Sequence, residues 1–271
     1  MDFETLLVAQ KGGIVTVTLN RPHRRNAVIP QMMHELLAVL DRVEADPSAR
    51  VVILTGAGDA FCAGADLQET LRWIQRGHEA LRNEYNPGWV RLVHLGFGRL
   101  RALPRPVIAA VNGVATAGGC DLALSCDIRI ASDRATFAEG YIKVGLLPAG
   151  GGTFLLPRLV GTGLACELIF TGQAISAEQA LQIGLVNRVV PHDELMAAAE
   201  ALARTLVARP PRALAAAKAA IYEGQTLDYG VAMASVYRAY AHLLEGDEFI
   251  EGTRAFVEKR PPRWAAAPGG Q

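Results

Sequence analysis

Val107-Ile108-Ala109-Ala110-Val111, then Asn112-Gly113, then after three residues Ala117-Gly118-Gly119-Cys120-Asp121-Leu122-Ala123-Leu124, is the stretch whose reading decides this fold. The five apolar residues read as a buried strand and Asn112-Gly113 as a turn. The glycine pair reads as a second turn opening a short apolar helix over Leu122 to Leu124. At such a helix start the backbone N–H groups lack intrahelical partners, and negative charge is favoured there. Two readings fit. In one, the turn is an oxyanion hole, with the Asp121 carboxylate within one helical turn as a candidate acid/base. In the other it is an ordinary strand–turn–helix joint that uses glycine for close packing.

The pattern repeats upstream. Val51 to Leu54 reads as another buried strand, emptying into a loop of small residues, Thr55-Gly56-Ala57-Gly58-Asp59-Ala60-Phe61-Cys62-Ala63-Gly64-Ala65-Asp66, before a helix start at Leu67. Small side chains there let a ligand lie against the backbone. Ile14 to Leu19 alternates like a strand, and Pro30 to Asp46 carries Met33, Leu36, Leu37, Leu40 and Val43 at helical spacing. Strands separated by helices give an α/β fold class with a layered core.

Phe61 to Leu67, together with Asn112 to Asp121, closely resembles the crotonase superfamily, also called the enoyl-CoA hydratase/isomerase family. The resemblance continues in Leu19-Asn20-Arg21-Pro22, Asn26-Ala27, Gly145-Leu146-Leu147-Pro148 and Leu156-Pro157-Arg158-Leu159-Val160-Gly161. It runs on through Phe170-Thr171-Gly172, Ala180-Leu181, Gly184-Leu185-Val186-Asn187 and Ala255-Phe256, and so covers nearly the whole chain in order. It implies a crotonase-like spiral, in which ββα turns stack into a superhelix over residues 1–190, followed by a C-terminal helical trimerisation region over 191–260.

Length and charge agree with that assignment. The chain has 271 residues with 51% hydrophobic content, enough for a large core. Its 27 basic and 27 acidic residues cancel, which points away from nucleic acid and from an anionic membrane surface as partners. Arg21, Arg24 and Arg25 still form a local cationic cluster. Cys62, Cys120, Cys126 and Cys166 show no metal-ligand spacing and read as small buried hydrophobes, so no metal is expected. The first ten residues lack the pattern of a signal peptide and no apolar run is long enough to span a bilayer, so a cytoplasmic, reducing location is expected.

Asn86 to Leu103 reads as a helix ended by Pro104. The polar run from Leu67 to Tyr85 reads either as a solvated helical insertion or, by resemblance, as a variable wall of an acyl pocket. Gly150-Gly151-Gly152 reads as a turn into a helix over Thr153 to Leu159. Beyond Pro191 the chain reads as Ala-rich helices, Leu195 to Val207, Arg212 to Tyr222 and Leu227 to Leu244, with Asp247 as N-cap of a last helix to Lys259. Their broad apolar faces, and the resemblance, imply a homotrimer or a hexamer made of two trimers. The stretch 261–271 reads as a flexible tail.

By resemblance, the N–H groups of Ala65 and Gly118 form an oxyanion hole for the thioester carbonyl of an acyl-CoA. Coenzyme A enters only as part of the substrate, with no covalently bound cofactor. It would lie along Arg24, Asn26, Ala27, Ala63, Gly64 and Asp66, with Phe256 and Lys259 reaching its phosphate or adenine end. Asp66 also fits an N-cap and Arg24 a solvated turn. Hydratases of the family carry two glutamates; their positions fall here at Asp121 and Tyr141. Aspartate keeps the charge on a shorter arm, whereas tyrosine is neutral at working pH. Glu139 could supply the missing carboxyl if the segment is extended, both side chains then pointing one way; it also fits an exposed structural glutamate.

The acid position of the isomerase branch falls at Ala149. The resemblance therefore implies enoyl-CoA hydration first. Isomerisation, thioester hydrolysis, decarboxylation, retro-aldol cleavage or acyl-CoA binding without turnover stand as alternatives. No G-x-S-x-G, P-loop or complete dinucleotide fingerprint occurs, which argues against triad hydrolases, nucleotide hydrolysis and redox chemistry.

Overall fold

The computed structural model describes residues 3–265. Most of the tail expected over 261–271 lies outside the described residues. Strands β1 (Leu6–Lys11) and β2 (Ile14–Leu19) form an antiparallel hairpin, and helix α1 (Pro30–Ala45) follows. Three similar turns come next. β3 (Val51–Gly56) and β4 (Ala60–Cys62) lead to α2 (Leu67–Gln75) and a short α3 (His78–Ala80), then a π-helix (Leu81–Val90) and α4 (Arg91–Ala102). β5 (Val107–Val111) and β6 (Val114–Thr116) lead to α5 (Gly118–Leu124). β7 (Ile128–Ser132) and β8 (Thr136–Ala138) lead through a 3-10 turn (Gly140–Val144) to α6 (Gly152–Val160) and α7 (Thr162–Thr171). β9 (Ile175–Ser176), α8 (Ala177–Gln182) and β10 (Arg188–Val190) complete the spiral.

Each of the three turns contributes one strand to each of two sheets. The larger sheet runs β1-β2-β3-β5-β7-β10, parallel from β2 onward, and the smaller runs β4-β6-β8-β9. This stacking is the ββα superhelix expected from the sequence. Its interior strands are buried on both faces, which is why β5 reads Val-Ile-Ala-Ala-Val without alternation. One core fills the spiral between the sheets and helices, around Phe61, Phe137, Leu36, Leu54 and Leu100.

A second core lies on the other side of the larger sheet, where α9 (Leu195–Val207) lays Leu195, Ala199, Ala203 and Val207 against Val51, Ile53, Ile108 and Ile130. The sequence grouped α9 with the oligomerisation region from 191 onward, and the structure makes it a core element instead. Its small alanines let the helix approach the sheet closely. The remaining helices, α10 (Pro211–Gly224), α11 (Tyr229–Leu244) and α12 (Asp247–Val257), bury few residues in the protomer. Gly246, not Asp247, is the N-cap of α12. Asp247 opens the first turn, where its charge meets the helix dipole, and the helix ends before Lys259, whose backbone is left-handed.

α10 is tied to the spiral by a half-buried polar cluster. Asp127 accepts from the Val107 N–H at 2.7 Å, from the Tyr222 hydroxyl and from Lys218 Nζ at 2.8 Å. Lys218 also donates to the Arg105 carbonyl at 3.0 Å, and the Arg101 guanidinium lies 3.7 Å from the centre of the Tyr222 ring. Among the described residues no helix is long and apolar enough to cross a membrane.

Candidate active site

The site forms where the two glycine-rich loops meet. The Val28 N–H donates to the Gly64 carbonyl and the Asp66 N–H to the Val28 carbonyl, while the Ala63 N–H donates to Arg25. These bonds lay Arg24 to Ala27 beside Ala63 to Asp66 and leave the Ala65 N–H outside the ladder. Gly64 takes a left-handed φ of +85°, and a side chain there would strike the Thr116 carbonyl and the Gly118 nitrogen. Ala117, just before α5, also has a positive φ, of 48°, a strained backbone that turns the chain into the helix. Gly118 is the first residue of α5, where an N–H has no intrahelical acceptor.

A Cβ built on Gly118 would lie 3.4 Å from the Tyr141 hydroxyl and 3.9 Å from the Ala65 nitrogen. The two expected oxyanion donors and the Tyr141 hydroxyl thus surround one point. Tyr141 donates to Asp121 Oδ2 at 2.6 Å, and the Gly150 N–H donates to the same oxygen at 2.8 Å. Asp121 Oδ1 and both Glu139 oxygens are buried without a hydrogen-bond partner. A Cβ on Gly152 would meet Asp121 Oδ1 at 2.4 Å and Glu139 Oε1 at 2.8 Å, so the two carboxyls face each other across the space one methyl would fill.

That geometry separates the protonation states. Burial pushes the Asp121 carboxyl up to about 6, against the pull of the Tyr141 and Gly150 hydrogen bonds. Burial and then the charge of Asp121 push Glu139 up to about 9. The same two causes raise the Tyr141 phenol well above its ordinary value, so it is a hydrogen-bond donor at neutral pH. With one carboxylate ionised and its neighbour protonated, the pair can accept a proton on one member while the other stays neutral.

Glu139 is therefore not the exposed structural residue that its sequence neighbourhood also allowed. It is 2% exposed. Nor is the segment extended; the chain turns at Gly140 into a 3-10 helix, and Glu139 and Tyr141 converge on Asp121 from a turn rather than from one face of a strand. The glycines at 150 and 152, read from sequence only as a turn, are part of the site. They approach Asp121 so closely that any side chain would displace it. Three consecutive glycines were the only signal for this. The His94 ring also reaches the turn, contacting the Ala149 carbonyl.

The other expected binding residues divide. Asn26 is fully buried, and its amide is spent on the Ala57 and Ala60 carbonyls and on the Arg21 N–H, so it clamps the loops and offers no side-chain atom to a ligand. Ala27 is buried and its carbonyl accepts from Arg21. Asp66 caps α2 by accepting from the Gln68 N–H at 3.1 Å and pairs with Arg21 at 3.0 Å. Burial opposes its charge, but the Arg21 and Gln68 bonds hold its carboxyl below the usual range. Arg21 is thus internal, while Arg24 and Arg25 are exposed, Arg24 donating to the Gln68 side chain. Phe256 and Lys259 lie exposed at the end of α12, and among the described residues neither is hydrogen-bonded to the loops at 24–27 or 63–66. No cluster of metal-ligating side chains occurs among the described residues.

A family model described as enoyl-CoA hydratase/isomerase matches residues 9–267. The short-chain-enoyl-CoA hydratase of Clostridium acetobutylicum is 40% identical over 264 residues, 96% of this chain and 97% of that one. The crotonyl-CoA hydratase of Syntrophomonas wolfei is 35% identical, again over 96% of this chain and 97% of that protein. The crystal structure of an enoyl-CoA hydratase from Bacillus anthracis superposes with a TM-score of 0.89 at 37% identity, covering 96% of this chain and 98% of that chain.

Proposed function

This chain belongs to the enoyl-CoA hydratase/isomerase family, and from that premise we propose that it adds water across the 2,3 double bond of an enoyl-CoA. The thioester carbonyl lies between the Ala65 and Gly118 N–H groups, near the Tyr141 hydroxyl. Asp121 takes a proton from water as the water oxygen bonds to C3. The electron pair of the double bond moves through C2 toward the thioester oxygen, where the two N–H groups stabilise it. Asp121 then returns the proton to C2, giving the 3-hydroxyacyl-CoA. Tyr141, donating to Asp121, orients its carboxylate. Glu139 stays protonated and spares Asp121 a second adjacent negative charge. The observation that carries this reading is the convergence of both oxyanion donors and the Tyr141–Asp121 pair on one point before Gly118.

The pantetheine and phosphates of the thioester run along Arg24, Ala63 and Asp66, with Phe256 and Lys259 supplied by a neighbouring protomer. A homotrimer, or a pair of trimers, follows from that arrangement. The four free thiols support a reducing, cytoplasmic setting.

Crotonyl-CoA hydration tests the proposal. Asp121→Asn should lose on the order of a hundred- to ten-thousandfold in kcat with KM little changed, because the charge acts mainly in the transition state. Glu139→Gln, which keeps the neutral state, should stay within about threefold of the parent. A second reading has Glu139 delivering the proton at C2, on the ground that both its oxygens are unpartnered; an equally severe loss in Glu139→Gln would favour it. Tight acyl-CoA binding without hydration by the parent would overturn both.

A further inference from the structure

Beside Ala65 the protein encloses a cleft of about 350 Å³. Thr70 and Trp73 of α2 form one wall, and Tyr85, Trp89 and Leu92 form the other. The π-helix supplies Tyr85 and Trp89 of the second wall, and the start of α4 supplies Leu92. The wider turns of the π-helix bring residues four to five apart onto one face, so Tyr85 and Trp89 look into the same space. The Trp73 and Tyr85 rings meet at 56° with centroids 5.8 Å apart, an attractive geometry that braces one wall against the other. The Arg76 guanidinium lies 4.3 Å from the centre of the Trp73 ring, and the Tyr85 hydroxyl is 3.4 Å from that of Thr70.

An acyl group whose carbonyl sits at Ala65 has this cleft beside it. A cavity of about 150 Å³ suffices for benzene, so a four-carbon crotonyl group would leave most of this one unfilled. A long alkyl chain would fill it, but it would press methylenes against the Thr70 and Tyr85 hydroxyls and the carboxylate of Glu69, whose hydrogen-bonding capacity beyond their bonds to each other, to Asp66 and to Arg72 it cannot meet. A flat ring is different. It can lie against Trp73, Tyr85 and Trp89, and a polar substituent on it would meet those same hydrophilic groups.

We infer that the cleft is the acyl site for a 3-arylpropenoyl thioester whose ring carries a hydrogen-bonding group such as a hydroxyl. The inference rests on the hydratase reading above. Water then adds as hydroxyl at C3 and hydrogen at C2, giving a 3-aryl-3-hydroxypropanoyl-CoA with no further reactant.

Steady-state hydration of crotonyl-CoA, 2-decenoyl-CoA, cinnamoyl-CoA and 4-hydroxycinnamoyl-CoA by the intact protein tests this. The 4-hydroxycinnamoyl thioester should have the highest kcat/KM, and Trp89→Ala should lower its ratio to crotonyl-CoA on the order of tenfold. A preference for crotonyl-CoA or 2-decenoyl-CoA over both aryl thioesters overturns the inference and leaves the hydratase reading standing; so does a ratio unchanged by Trp89→Ala. Should none of the four be hydrated, the hydratase reading fails, and calorimetric binding of the saturated thioesters decides the cleft alone. Tighter binding of 3-(4-hydroxyphenyl)propanoyl-CoA than of butyryl-CoA upholds the aryl site, and equal or weaker binding overturns it.

Discussion

Two carboxyls that face each other across a single glycine, both buried inside the protein, cannot both ionise without severe repulsion. Glu139 therefore keeps its proton in the folded protein up to about 9, while in the unfolded chain it loses it near the ordinary 4.5. The folded state then binds more protons than the unfolded state between those values, so stability falls as pH rises through that window. Glu139→Gln removes this penalty. Its melting temperature should match the parent's near pH 4.5 and exceed it by roughly 4 °C or more at pH 9, on the scale of a few degrees per kcal/mol for a chain this long. Scanning calorimetry across that range, with no gap opening, would mean that Glu139 is hydrated and ionised.

At the scale of elements, α5 is held at both ends. Asp121 is gripped by Tyr141 and Gly150, while Arg129, almost wholly buried, donates to the Cys126 carbonyl at 2.8 Å and to the Leu185 carbonyl at 2.7 Å. Just beyond, Asp127 gathers Lys218 and Tyr222 of α10. Asp127→Ala would strand a mostly buried ammonium, a phenol and the Val107 N–H, and should cost about 3 kcal/mol or more by chemical denaturation. Asp127→Asn, whose single amide oxygen can still accept from both the Val107 N–H and Lys218 Nζ, should cost clearly less. A loss below about 1 kcal/mol for the alanine variant would show that α10 docks by apolar contact alone.

This clamp was invisible in the sequence, because Asp127 lies 95 residues before Tyr222 in the chain and nothing local to either end pairs them. What was legible was whatever local chemistry fixes. β2 and β5 span the residues read from alternation and from an unbroken apolar run, and α9 spans the residues read from their Ala-rich composition. Asp66 was readable as a cap because a cap needs only its own neighbours. Glu139 was not, since its burial depends on the later return of the chain at Gly150 to Gly152. The π-helix was hidden for a similar reason. A polar run with Gly77 and Pro87 gives no 3.6-residue period, and the wide turns emerge only where Tyr85 and Trp89 meet α2.

The whole molecule exposes more than a compact monomer should. Its accessible surface is 14447 Å², whereas a globular protomer of this mass is expected near about 11,400 Å². The surplus is rich in apolar side chains on the last helices, among them Tyr229, Tyr237, Phe256 and Val257, each more than 70% exposed. Large exposed apolar patches mark interaction surfaces, and the proposed trimer or pair of trimers would cover these. Light scattering at micromolar concentration should report three or six protomers, and a monomer would refute the assembly. Replacing Tyr237 and Val257 together by charged residues should shift the mass downward.

All seven residues of α5 are buried, so the helix that presents Gly118 and Asp121 is also part of the central packing. Such a helix has little freedom to vary, because a substitution that alters its chemistry also alters what it fills. The turn carrying Tyr141 has no buried residue of its own. Substitutions in descendants of this scaffold would thus be confined mainly to the turn around Tyr141, while α5 itself stays nearly fixed.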